Sequence, residues 1–341
     1  MSATAAPARP SARSFFYATI SASSAALLLL LSVVITNVLG QGAWGNFSYA
    51  LALSLIGEAL MDFGIHQVTI RTIAREPGRA VELFRNSLAL KALPGAAMFV
   101  LLTVAVFVLR PEPELRLASM LMLASAVLRS YLLTVRGVLQ GLERFADDSL
   151  VVVGDRLAVL ILGCAAVWLG MGLVGIAGAF LVARLGAVAA ALVIAHRHVG
   201  PPAPAFDTAI WSDFQRRALP LGAFLIVLNL YSYIDTIILR AQASAVETGL
   251  YNSAYKVYEG LTYATAVLSA VVTPRLSHLW NVDRPAHNRL ARQTLLVSFG
   301  LAAGLAAATW WLAPFGLRIF GRDAQDAADT LRILAVGLPV V

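Results

Sequence analysis

Ten long apolar runs decide what this chain can fold into. They cover about residues 15–39, 46–65, 87–109, 117–139, 150–169, 173–194, 217–239, 250–272 and 293–314, and the last opens at 330. Most approach the ~20 residues a helix needs to cross a ~30 Å hydrocarbon layer. A helix satisfies its own backbone hydrogen bonds in lipid, and these runs are too long and continuous for barrel strands. The chain therefore reads as an all-α polytopic membrane protein. Composition agrees: 59% of the 341 residues are hydrophobic and 13% charged, against roughly 45–50% and 25% in soluble domains. No small-residue cleavage site follows the first run, so it reads as a retained helix rather than a signal peptide.

The scarce charges set an orientation. With the N-terminus inside, the inner segments hold Arg9, Arg13, Arg71, Arg75, Arg79, Arg85, Arg136, Arg144, Arg197, Arg216, Arg217, Arg275, Arg284, Arg289 and Arg292. The outer loops hold only Arg110, Arg116, Arg240, Arg318 and Arg322. That bias predicts a multi-pass protein of the inner (plasma) membrane with a cytoplasmic N-terminus. It accounts for most of the +7 net charge without a nucleic-acid partner. Cys164 is the sole cysteine and reads as a small packing residue.

Four parts are expected. Residues 1–14 form a disordered cytoplasmic tail, and 15–194 a six-helix bundle. A cytoplasmic linker follows over 195–216, with His196-Arg197-His198 ahead of Gly200-Pro201-Pro202. Residues 217–341 form a partial second bundle, with helices 7–9 and the start of a tenth. Segment 207–217, carrying Trp211 and Phe214 beside Arg216 and Arg217, reads as a short interfacial helix. Gly45-Asn46-Phe47-Ser48-Tyr49-Ala50 resembles Gly249-Leu250-Tyr251-Asn252-Ser253-Ala254. Each opens the second helix of its half, which reads as a parallel duplication.

Ionisable residues at membrane depth cost about 2.5–3.5 kcal/mol each on insertion scales and usually face a partner, a cavity or a substrate. Arg129 and Arg184 fall near mid-helix, Lys91 and Arg156 about one turn inside the inner boundary, and Lys256 about two turns inside the outer one. If they face one cavity they form a cationic column suited to a phosphate-bearing substrate. The alternative is that Arg156 pairs with Asp155 or Glu58 and that Lys91 and Lys256 reach the headgroups. Glu58 and Asp62 share a helix face and either counter the arginines or carry a coupling proton; Asp235 either binds a coupling cation or serves as a structural cap. Tyr255, between Tyr251 and Tyr258 and near Tyr263, either stacks on sugar rings or packs helices.

Several motifs fail their context. Gly170-Met171-Gly172-Leu173-Val174-Gly175 matches a dinucleotide fingerprint but joins two apolar helices with no preceding strand. His196 and His198 are too few for a metal site. Asp147-Asp148 reads as solvated. No Ser-His-Asp set or acidic loop pair supports catalysis, so a membrane-embedded transferase is disfavoured and no enzyme is expected.

The order and spacing of several stretches resemble the polysaccharide transporter, or Wzx-type oligosaccharide flippase, family of the multidrug/oligosaccharidyl-lipid/polysaccharide exporter (MOP) superfamily. These are Leu39-Gly40-Gln41-Gly42-Ala43-Trp44-Gly45, Asp62-Phe63-Gly64-Ile65, Gly137-Val138-Leu139-Gln140-Gly141, Tyr233-Ile234-Asp235-Thr236, Gly249-Leu250-Tyr251-Asn252-Ser253-Ala254-Tyr255-Lys256 and Pro274-Arg275-Leu276-Ser277. The resemblance implies two helical bundles around a cavity and alternating access. It implies transfer of a polyprenyl-diphosphate-linked glycan to the outer leaflet, coupling to Na+ or H+ with no other cofactor, and partners among polysaccharide-assembly proteins. A drug or cation exporter of the superfamily, or a non-transporting partner in glycan assembly, are the competing readings. Family members have twelve to fourteen helices, so the resemblance also implies a C-terminally truncated chain.

Overall fold

The computed structural model describes residues 16–17, 20, 26–109 and 112–339, leaving aside the side chains of 109, 263–271 and 274. The expected tail 1–14, with Arg9 and Arg13, and the outer-loop Arg110 lie outside the described residues, as does the Tyr263 side chain. Among the described residues there is no strand. The helices are α1 (Ala26–Asp62), α2 (Ile65–Arg75), α3 (Ala80–Leu109), α4 (Pro113–Gly141), α5 (Phe145–Trp168), α6 (Gly172–Val199), α7 (Thr208–Gln242), α8 (Ala245–Val282), α9 (Arg284–Leu317) and α10 (Ala328–Val336). Seven described helices are long and apolar enough to cross a membrane.

The helices outrun the apolar runs that announced them. The run at 217–239 is the lipid-compatible part of α7, which begins at Thr208 and carries Pro220 inside it. The segment 207–217, expected as a separate interfacial helix, forms the first turns of α7 instead. Hydropathy marks only the part of a helix that suits lipid, whereas backbone hydrogen bonding continues into its polar ends. The opposite omission occurs at 66–86, read as loop. It contains α2, which buries Ile65, Val68 and Ile73 and leaves Arg71 and Arg75 exposed.

The first two runs are not joined by a loop. One helical path continues through them, broken only at Gly40, whose φ of 84° and ψ of 173° lie where a Cβ would be strained. The corresponding position of the second half is Ser244, which caps α8. Its hydroxyl accepts from the Glu247 N–H, and the Glu247 carboxylate accepts from the Ser244 N–H. The two similar hexapeptides thus begin five residues beyond equivalent breaks.

The chain forms two compact units. Of the described residues, the first holds those up to 31 and from 46 to 242, and the second holds 32–45 and those from 243 onward. Helix α7, expected in the second bundle, therefore falls in the first unit, and residues 32–45 of α1 in the second. In the first unit α4 packs against α2, α3, α5 and α6. Its contacts depend on small residues: Ala118, Ala126 and Gly137 on α4, and Ala183, Ala187, Ala191 and Ala195 on α6, are all buried. The linker 200–207 is tied to α3, because the Asp207 N–H donates to the Asn86 side chain and the Ala205 N–H to the Arg85 carbonyl.

The second unit holds its share of α1 through buried polar groups. The Gln41 amide donates to the Phe320 carbonyl and accepts from the Ser253 hydroxyl, and the Asn37 amide donates to the Ile319 carbonyl. A Cβ at Gly45 would collide with the Ala245 carbonyl, and one at Gly249 with the Gln41 carbonyl. Only glycine allows these backbones to approach so closely. Pro314 within α9 lacks the N–H that would bond the Trp310 carbonyl, and the Arg332 Nε donates to that carbonyl instead, at 3.0 Å.

Candidate functional site

Four helices of the first unit place their charges at one level. Arg129, near the middle of α4, pairs with Glu58 of α1 at 2.5 Å and approaches Asp155 of α5 at 4.0 Å. Asp155 pairs in turn with Arg184 of α6. Two carboxylates and two guanidiniums therefore alternate across α1, α4, α5 and α6. Asp155 and Arg184 are almost wholly buried, at 3% and 5% exposure.

A second pair joins the same region. Lys91 of α3, 1% exposed, donates to Asp62 at 2.5 Å and to the Ser130 carbonyl of α4 at 2.7 Å. Ser130 follows Arg129 directly, so α4 connects the two groups. Helix α1 ends at Asp62 because Phe63 and Gly64 adopt left-handed φ values of 48° and 77°. A bulky residue in that region is strained, so surrounding contacts must hold it there.

These contacts limit what the cations can do. Lys91, Arg129 and Arg184 each have a carboxylate partner; Lys91, expected to reach the headgroups, is instead buried against Asp62, and the carboxylates expected to pair with Arg156 pair with Arg129 and Arg184. In a medium of low polarity an ion pair removes most of the long-range field of either charge. Arg156 follows Asp155 and lines a small pocket with Arg129, Arg136, Leu132, Leu133, Val152 and Asp155. Three guanidiniums and one carboxylate thus border one recess, and Arg129 is also paired with Glu58. Arg136 is itself bound by Asp148, at 2.7 and 3.3 Å.

Asp148 corrects the reading of Asp147-Asp148 as solvated. It is 5% exposed and accepts from Arg136 and from the Gln140 amide. Asp147 pairs with His198 of α6 at 2.9 Å. Arg136 and Gln140 lie four apart in the sequence, which places them on one helix face. Their convergence on the first turn of α5 depends on how α4 meets α5.

The second-half candidates lie in the other unit. Lys256 pairs with Glu259 one turn along α8, at 2.7 Å. Tyr255 lies between Tyr251 and Tyr258, with ring centroids 6.1 and 5.9 Å away. Tyr258 also packs against the apolar clusters around Phe320 and Leu338. Asp235, in the first unit, is half-buried near the end of α7 and accepts from the Thr236 N–H. Among the described residues no group of three His, Cys, Asp or Glu side chains is disposed to hold a metal.

Helix order and packing match a fold found in transporters of the MOP superfamily. The structure is similar to a multidrug resistance MATE family transporter in its inward-facing conformation, with TM-score 0.71, 18% identity, and coverage of 92% of this chain and 77% of that one. It is similar to a MOP-superfamily transporter from Pyrococcus furiosus whose binding pocket is described as reversed in polarity, with TM-score 0.62, 18% identity, and coverage of 95% and 77%. An outward-facing MATE transporter matches with TM-score 0.59, 17% identity, and coverage of 95% and 77%. At such identities the likeness concerns the fold. No curated protein sequence matches the chain. A family model described as polysaccharide biosynthesis protein matches residues 11–280, and the chain belongs to that family. Its seven described helices long and apolar enough to cross a membrane make it a multi-pass membrane protein of that family.

Proposed function

We propose that this transporter carries a polyprenyl-diphosphate-linked oligosaccharide from the inner to the outer leaflet of the inner membrane, by alternating access, for surface polysaccharide synthesis. The observation that carries this reading is the recess bordered by Arg129, Arg136 and Arg156. Guanidinium groups bind phosphate oxygens in two-point hydrogen bonds, and a partly paired arginine can exchange a carboxylate for a phosphate. Membership of a polysaccharide biosynthesis family supports a glycan cargo.

Lys256 and Tyr255 are the proposed contacts of the second unit, with Tyr255 offering its ring to a sugar. Glu58, Asp62 and Asp235 are the proposed carriers of a coupling H+ or Na+. An N-terminus on the cytoplasmic side follows from the arginine bias. Other polysaccharide-assembly proteins are its natural partners. A drug or cation exporter is the second reading, favoured by the likeness to multidrug transporters; the three arginines at the recess oppose a cationic cargo.

The test uses the chain reconstituted in proteoliposomes with a fluorescent polyprenyl-diphosphate-linked oligosaccharide, whose arrival in the other leaflet is read by a membrane-impermeant quencher. Arg129→Gln and Arg156→Gln are expected to slow transfer roughly tenfold or more, the value of one charge-assisted hydrogen bond. Unchanged transfer in both variants would overturn the arginine assignment. Export of a lipophilic cation without glycan transfer would overturn the function.

A further inference from the structure

The strongest concentration of unpaired charge in the second unit lies where α8 turns into α9. Between Glu259 and Asp323 the chain has a single acidic residue, Asp283. The same stretch carries Arg275, Arg284, Arg289 and Arg292, all exposed. Asp283 caps α9 by accepting from the Ala286 N–H. Among the described residues none of the four guanidiniums lies in an ion pair. This contrasts with Lys256, which has its carboxylate one turn away.

The tip also carries apolar surface. Trp280 is 49% and Val282 70% exposed. The Arg284 guanidinium lies 3.4 Å from the centre of the Trp280 ring, and His287 meets the ring edge-on at 5.0 Å. The indole is therefore held in place and outward-facing. A fixed tryptophan flanked by arginines combines an apolar body with charge at the depth of lipid headgroups.

Length sets the position of this tip. Helix α8 has 38 residues and α9 has 34. At ~1.5 Å per residue, α8 measures roughly 57 Å, against about 40–45 Å for a bilayer with its headgroups. Helix α9 is long and apolar enough to cross a membrane, which puts the turn before it at a headgroup layer, and α8, running beside it from its capped end, would reach that layer close to Arg275. A tilt of up to ~40° brings its last turns back to the headgroup plane. Basic clusters next to a membrane helix attract anionic lipid. The exposed Trp280 and Val282 favour a lipid surface over a soluble acidic protein, because they can enter the headgroup–acyl boundary.

We propose that the α8–α9 turn is a docking site for anionic phospholipid headgroups, with Arg275, Arg284, Arg289 and Arg292 holding the phosphates and Trp280 entering the interface. The assignment is independent of the cargo. It gives the transporter a lipid-composition dependence located in its second unit.

The test uses the full chain in nanodiscs, with Cys164→Ser and Asn281→Cys so that a bimane label reports polarity at the tip. Phosphatidylglycerol replaces phosphatidylcholine stepwise. A blue shift that grows with phosphatidylglycerol and is reversed by high salt is expected. Each single Arg→Gln substitution among the four should raise the half-saturating phosphatidylglycerol fraction about fivefold, since a basic residue near an anionic surface contributes about that factor. A variant with all four changed to Lys should keep most of the response, which distinguishes lost charge from lost folding. Identical emission in the two lipids would overturn the proposal, as would a shift that survives replacement of all four by Gln. A label that ignores phosphatidylglycerol but responds to a polyglutamate peptide would assign the surface to an acidic protein instead.

Discussion

The arginines of the first unit and those at the α8–α9 turn share one chemistry and live in opposite surroundings. Arg184 is buried and pairs with Asp155, which in turn lies within 4.0 Å of Arg129. Arg275, Arg284, Arg289 and Arg292 are exposed, and among the described residues no carboxylate pairs with them. Charge in a dry interior must be neutralised locally, and geometry then matters more than number. Charge at the surface can wait for a diffuse partner, and number then matters more than geometry. The first set should be intolerant of single changes, and the second should weaken in steps.

The largest effect is expected at Asp155. Asp155→Ala leaves Arg184 buried without its carboxylate and should cost about 3–5 kcal/mol, read as a large fall in melting temperature in detergent. Adding Arg184→Leu should restore much of the loss. If the double variant is no more stable than Asp155→Ala, the pair is not the unit described here. Lys91→Met should behave similarly for Asp62, with recovery on adding Asp62→Asn.

Glycine packing offers a smaller contrast. Gly249→Ala would press a methyl group into the Gln41 carbonyl, an overpacking cost of about 1–3 kcal/mol. Gly300→Ala, in α9 with nothing within 4 Å of the added carbon, should stabilise by about 0.5–1 kcal/mol through helix propensity. Thermal unfolding of the two variants checks both signs. A destabilised Gly300→Ala together with a neutral Gly249→Ala would reverse the assignment of close approach.

The smallest effect lies at the cap of α8. Hydrogen bonds from the Ser244 backbone N–H and hydroxyl hold the exposed Glu247 carboxyl below its usual range. A carboxylate with a lowered folded-state pKa stabilises above its unfolded value, and that stabilisation fades as pH falls through the folded value. Wild-type protein should therefore lose a little more stability on acidification than Glu247→Gln. Ser244→Ala should cost about 1 kcal/mol at neutral pH. Equal acid sensitivity of wild type and Glu247→Gln would remove the carboxylate from the cap.

Much of this is legible in the sequence because lipid imposes a simple code. A run of apolar residues in a bilayer has one backbone solution, so the number and order of the main helices can be read directly. The hexapeptides opening at Gly45 and Gly249 stand out as a repeat, but the breaks five residues before them, at Gly40 and Ser244, have different residues and emerge only in the structure. Helix α2 was hidden because an amphipathic helix, apolar on one face only, lacks a continuous apolar run. The cations Lys91, Arg129 and Arg184 could be named from depth alone. Their partners could not, since Glu58, Asp62, Asp155 and Arg156 offer several pairings that hydropathy does not distinguish.

By itself the sequence determined the all-helical membrane fold, the order of its main helices, and the residues whose charge demands an explanation. Those follow from the cost of exposing backbone and charge to hydrocarbon, which depends on local composition. Only the tertiary structure decided that Asp155 faces Arg184, that Asp148 is buried against Arg136, and that the α8–α9 arginines stand without such partners. Pairing depends on the rotation and register of whole helices, set by many small contacts such as the alanine faces of α4 and α6, and no single stretch of chain encodes it.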